Sequence, residues 1–105
     1  MKKMIETLVV SSTAHVDENY RDHIDADASK SEVEATVEDV FSRRVKASGY
    51  TLPNGTKRRK GHRYYVLCRN GRRYIFVFVQ ITTGQFLPVT ILEEHFDNLN
   101  CYNRH

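Results

Sequence analysis

A chain of 105 residues has room for one core and one domain, taken as 1–105, and its apolar runs fall well short of the roughly 20 residues needed for a membrane-spanning helix. The formal net charge of +3 hides a segregation: 11 of the 16 Lys and Arg lie between Asp39 and Glu93, where there is no carboxylate, while residues 1–39 carry 10 acidic groups against 4 basic ones. Clustered like charges repel, so a polyanion is the partner that charge puts first; the alternative is a solvated basic loop neutralised by an adjoining acidic helix.

Met1-Lys2-Lys3 begins like a secretory leader, but Glu6 interrupts it and no apolar stretch follows. Thr7 to Ser11 is short, β-branched and apolar, a first strand. Ser12 or Thr13 then caps a helix with Asp17 and Glu18 in its first turn, favourable against the N-terminal dipole. Val16, Tyr20, His23 and Ile24 fall on one face of it. After a connector at 25–28, Ser29 and Glu32 have capping-box spacing for a second helix. Its apolar stripe is Val33, Val37, Val40 and Phe41, and Gly49 is the expected stop. Residues 50–61 form a connection with turn residues at Pro53, Asn54 and Gly55.

Two β-rich runs, 62–69 and 72–82, flank Asn70-Gly71, the preferred dipeptide of a type I′ hairpin turn. Thr82-Thr83-Gly84 turns into a third strand over 85–92, and a frayed tail is expected at 97–105. The hairpin register puts Arg63, Tyr65, Leu67, Arg69, Arg72, Tyr74, Phe76 and Phe78 on one face. Tyr64, Val66, Cys68, Arg73, Ile75, Val77 and Val79 occupy the other. A three-residue turn with Gly84 left-handed joins Leu87, Val89 and Ile91 to the aliphatic face; a two-residue turn joins them to the aromatic one. The three-residue form is preferred because it separates the arginines from the aliphatic core, although a one-residue slip reverses the assignment. The fold class is α+β, β-α-α-β-β-β, an antiparallel three- to four-stranded sheet with two helices on one face. Cys68 and Cys101 lack metal-ligand spacing and read as free thiols in a reducing cytoplasm.

With that element order, the segments from Asp17 to Ile24 and Val37 to Phe41, together with the hairpin from His62 to Val79, resemble the RelE/ParE superfamily of bacterial toxins, its BrnT-like branch most of all. The chain departs from that branch in its long 46–61 connection and in the apolar Val89-Thr90-Ile91-Leu92 where a basic strand end is usual. The resemblance implies the toxin of a toxin–antitoxin pair, a metal-independent endoribonuclease acting on mRNA, some of it ribosome-associated, and held by an antitoxin protein.

Such cleavage needs proton transfer at the 2′-hydroxyl and the leaving oxygen, together with cationic stabilisation of the phosphorane. His62, beside Lys60 and Arg63, is the first acid–base candidate, since nearby cations favour its neutral form. Arg63 suits the phosphate, and His15 is the second histidine candidate. Lys57, Arg58, Arg59 and Lys60 form a candidate phosphate clamp. Arg69, Arg72 and Arg73 are interleaved with Tyr65 and Tyr74, which would stack bases. Structural readings stand beside each: a strand-edge histidine, solvated loop charge, cross-strand aromatic packing. No metal site and no nucleotide-cofactor loop is expected. The other functional class is a non-catalytic, phage-type inhibitor or accessory protein that binds nucleic acid or protein through the same basic hairpin.

Overall fold

The computed structural model of the chain describes residues 5–47 and 59–93. Its elements are β1 (Thr7–Leu8), α1 (Ala14–His23), α2 (Lys30–Arg43), β2 (His62–Arg69), β3 (Arg72–Thr82) and β4 (Gln85–Glu93). The order β-α-α-β-β-β is the one predicted, and the fold is α+β. The sheet is mixed, however, in the order β1-β4-β3-β2, because β1 pairs with β4 in parallel. No helix among the described residues is long and apolar enough to cross a membrane.

Both helix starts follow from their caps. The Thr13 hydroxyl accepts from the Val16 amide, and Ser29 with Glu32 closes a full capping box. The end of α2 differs from expectation. It stops at Arg44, a non-glycine residue at φ 54°, and the expected stop, Gly49, lies outside the described residues. A left-handed arginine is strained, and side-chain contacts hold it: its guanidinium lies 5.7 Å from the Phe41 ring centroid and 2.7 Å from Glu6.

Asn70 (φ 55°) and Gly71 (φ 76°) make the β2–β3 turn, and the register Arg69↔Arg72 through His62↔Val79 is the one the dipeptide predicts. The β3–β4 connection decides the faces. Thr82 pairs with Gln85, so Thr83-Gly84 is a two-residue turn with Gly84 at φ 76°. The ladder slips at Ile81 and slips back at Val89, so Phe76 comes opposite Ile91. The three-residue turn is therefore overturned, and with it the aliphatic face as the core; Leu87, opposite Val79, and Val89 nevertheless lie on the aliphatic face as that reading had them, and only Ile91 crosses to the aromatic one. Tyr65, Tyr74, Phe76, Phe78, Phe86 and Ile91 form the core under the helices, with Val16, Tyr20, Val33, Val37, Val40 and Phe41.

Large rings fill the space between a sheet and two helices better than aliphatic side chains do, and Phe41 packs within 5.1–6.2 Å of Phe78, Phe86 and Tyr65. Arg63 and Arg69 do not prevent this burial. They lie at opposite ends of β2, and Arg63 lays its guanidinium 4.7 Å from the Phe86 centroid. The aliphatic face forms a second, smaller cluster of Ala47, Tyr64, Ile75 and Val77, with Val66, Val89 and Leu92 against it.

A second correction concerns Cys68, which is disulfide-bonded and not a free thiol. The chain's other cysteine, Cys101, lies outside the described residues. Wide separation in sequence never excluded proximity in space, and cysteine usage no longer argues for a reducing compartment.

Candidate nucleic-acid interface

Local structure decides which cations remain available. Residues 45–47 return along the outer edge of β2: Val66 donates its amide to Val45, and Ala47 donates to Tyr64. Beyond 48–58, the chain re-enters through a tight turn in which the His62 amide reaches the Arg59 carbonyl at 3.2 Å and Gly61 takes φ 83°. The Gly61 carbonyl accepts from Gln80 at 2.8 Å, tying this turn to β3. Arg59 also donates its amide to the Tyr64 hydroxyl at 3.3 Å. Lys46, Arg59 and Lys60 are thus positioned by backbone bonds while their side chains are exposed.

The remaining arginines of the basic stretch are mostly spoken for. Arg63 forms a two-pronged pair with Glu6 at 2.9 and 3.0 Å and donates to the Tyr65 hydroxyl at 3.1 Å. Arg44 joins the same carboxylate. The hydrogen bond from Arg63, and then the charges of both guanidiniums, hold the Glu6 carboxyl below its ordinary range against an opposing push from burial. Arg43 pairs with Asp39 at 2.9 Å, Arg72 with Glu93, and Arg69 donates to the Tyr20 hydroxyl at 2.8 Å. Arg73 is half-buried beside Cys68 in the ladder. Lys46, Arg59 and Lys60, by contrast, make no ion pair among the described residues. Lys57 and Arg58, the other half of the predicted clamp, lie outside those residues.

The three predicted catalytic groups do not converge. His62 and Arg63 are adjacent in β2 and point to opposite faces, Arg63 toward the helices and His62 toward the second cluster, where its ring lies parallel to Tyr64 with centroids 6.1 Å apart. His15 is exposed on α1, its Nε2 3.5 Å from the Thr90 hydroxyl. Nδ1 of His62 is buried without a hydrogen-bond partner among the described residues. Burial first, and the Arg59 charge second, lower its pKa below the ordinary histidine value. The direction matches the sequence argument, but desolvation leads.

Tyr65 and Tyr74 do not offer rings for stacking, since they are 1% and 2% exposed. The Tyr74 hydroxyl donates to the His23 carbonyl, and burial, with the Glu93 charge, raises its pKa. Among the described residues no three His, Cys, Asp or Glu side chains are grouped to hold a metal ion.

Two residues with large roles were not singled out from sequence. Glu6 registered only as an interruption of a leader, yet it joins β1 to the end of α2 and the start of β2. Asn19 accepts from the Ile91 amide at 3.1 Å and the Thr90 hydroxyl at 2.7 Å, beside the slip at Val89. The only sequence signal for Asn19 is a polar residue beside the apolar stripe of α1. Comparison with family models, with curated proteins and with solved structures finds no match for the chain.

Proposed function

We propose that the chain is a small, non-catalytic nucleic-acid-binding protein that contacts the phosphate backbone along the outer edge of β2. The observation that carries this reading is the division of the cations. Arg43 and Arg72 are ion-paired and Arg44 and Arg63 share the Glu6 carboxylate, whereas Lys46, Arg59 and Lys60 are exposed along one edge and make no ion pair among the described residues. Cations with no internal acid retain their full Coulombic attraction for phosphate, and counterion release adds to it. The separation of His62, Arg63 and His15 weighs against the ribonuclease–toxin expectation and, with it, against the antitoxin partner. A cytoplasmic site of action now rests on the nucleic-acid reading alone.

The test is fluorescence anisotropy of a labelled RNA across a salt series, with the RNA run on a gel afterwards. Binding should weaken with salt, and each of Lys46→Gln, Arg59→Gln and Lys60→Gln should lower the log–log salt slope by about one while the RNA stays intact. Absence of binding at low salt would remove the proposal. Discrete cuts abolished by His62→Ala would restore the ribonuclease reading.

A further inference from the structure

The sheet face away from the helices is not uniformly covered. Toward the β2–β3 hairpin it is the buried cluster of Tyr64, Ile75 and Val77. Toward the β3–β4 turn it opens. His62 pairs with Val79 and Val79 with Leu87, and Val9, which follows the Leu8↔Phe86 pair of the parallel ladder, comes next to Leu87. Cross-strand partners share a face, so His62, Val79 and Leu87 form one row across β2, β3 and β4, with Val9 just past the end of β1 extending it. His62, Val79 and Leu87 are partly exposed and Val9 is 52% exposed. Thr7, Gln85 and Thr82 form the next row, all exposed, uncharged and able to hydrogen-bond.

The row ends at the turn that carries Arg59 and Lys60. The His62 ring lies nearly parallel to the ring of Tyr64, 7% exposed, with centroids 6.1 Å apart, so the imidazole is an oriented plane beside two cations that make no ion pair among the described residues. We propose that this end of the sheet binds single-stranded nucleic acid, with a base stacked on His62, its neighbours over Val79, Leu87 and Val9, and the backbone on Arg59 and Lys60. The inference rests on the nucleic-acid reading above and adds strand selectivity to it. Planar rings and adjoining polar side chains suit unpaired bases, whereas a duplex presents only phosphate to such a surface. The lowered pKa of His62 is consistent, since a neutral ring loses less on covering.

Labelled single strands of about twelve nucleotides, RNA and DNA of one sequence, and the duplex they correspond to provide the test by anisotropy, alongside an acidic Glu–Leu peptide of similar length. Both single strands are expected to bind more tightly than the duplex, the tighter one indicating the natural sugar. His62→Ala should weaken them about ten-fold, leave the duplex unchanged as a check on folding, and be rescued by His62→Phe. Equal binding of strand and duplex, insensitive to His62→Ala but weakened by Arg59→Gln/Lys60→Gln, would overturn the stacking site and leave the phosphate-edge function standing. No binding of any nucleic acid would overturn both, and His62-dependent binding of the peptide alone would make this a protein-docking surface instead.

Discussion

At the scale of single residues, Glu6 bears the most consequence. One carboxylate, 12% exposed in its side chain, receives both Arg44 and Arg63. Glu6→Gln leaves two guanidiniums without their counter-charge and should cost about 2 kcal/mol in chemical denaturation. Because the folded-state pKa lies below the ordinary glutamate value, the folded form binds fewer protons than the unfolded chain at acid pH. The stabilisation is complete above the unfolded pKa and is lost as pH falls through the folded one. Wild-type and Glu6→Gln stabilities should therefore converge on acidification; a constant gap would mean that the charge is not what matters. His62 follows the same sign, since its pKa is also lowered. Its ring resonances should titrate below the usual histidine midpoint in NMR, and Arg59→Gln should recover only part of the shift because burial is the larger cause.

Asn19 makes a similar argument from neutral groups. Its Oδ1 takes the Ile91 amide where the β3–β4 ladder is irregular, so Asn19→Ala leaves a backbone donor unsatisfied. The expected loss is about 2 kcal/mol, while Asn19→Asp keeps the acceptor and should lose less. Equal losses for the two substitutions would show that packing of α1 on β4, not the hydrogen bond, is what Asn19 supplies.

At the scale of elements, the ends of α2 and β2 depend on left-handed residues. Arg44→Gly removes the backbone strain and the Glu6 contact together, so the two effects oppose and the net change in stability should be small. Arg44→Ala keeps the strain and loses the contact, and should be destabilised by about 1 kcal/mol relative to Arg44→Gly. Denaturation midpoints of the two variants compare them directly, and Ala matching Gly would show that φ 54° is not strained here. The helix caps, the apolar stripe of α2 and the Asn70-Gly71 turn were legible in the sequence because each rests on spacings of four residues or fewer. The sheet face was not. Which face the helices cover is a non-local choice, and the slip at Ile81 with its return at Val89, which no local pattern announces, splits Leu87 and Val89 from Ile91.

At the scale of the whole molecule, charge separation becomes orientation. Glu18, Asp22, Glu32, Glu38 and Asp39 are exposed on the helices, which cover one sheet face, whereas Lys46, Arg59 and Lys60 lie along the β2 edge. Carboxylates more than a Debye length from that edge, about 8 Å at physiological salt, are screened from a polyanion bound there. The double variant Glu18→Gln/Asp22→Asn should thus change RNA affinity less than two-fold near physiological salt, measured by the same anisotropy titration. A large gain would mean that RNA passes across the helices rather than along the edge.

The sequence by itself determined the α+β class, the element order, the helix caps, the β2–β3 register and the presence of a basic middle, because these follow from periodicity, turn chemistry and counting. Only the tertiary structure decided which of those cations have partners. Arg63 and Glu6 are far apart in sequence, and so are Arg69 and Tyr20, and such pairs exist only once the sheet has chosen its face. The same choice buried Tyr65 and Tyr74, separated His62 from Arg63, and left Arg59 and Lys60 outside. Burial is a property of the assembled layers, and in this chain the two one-residue slips in the β3–β4 ladder decide which β4 side chains share the core face.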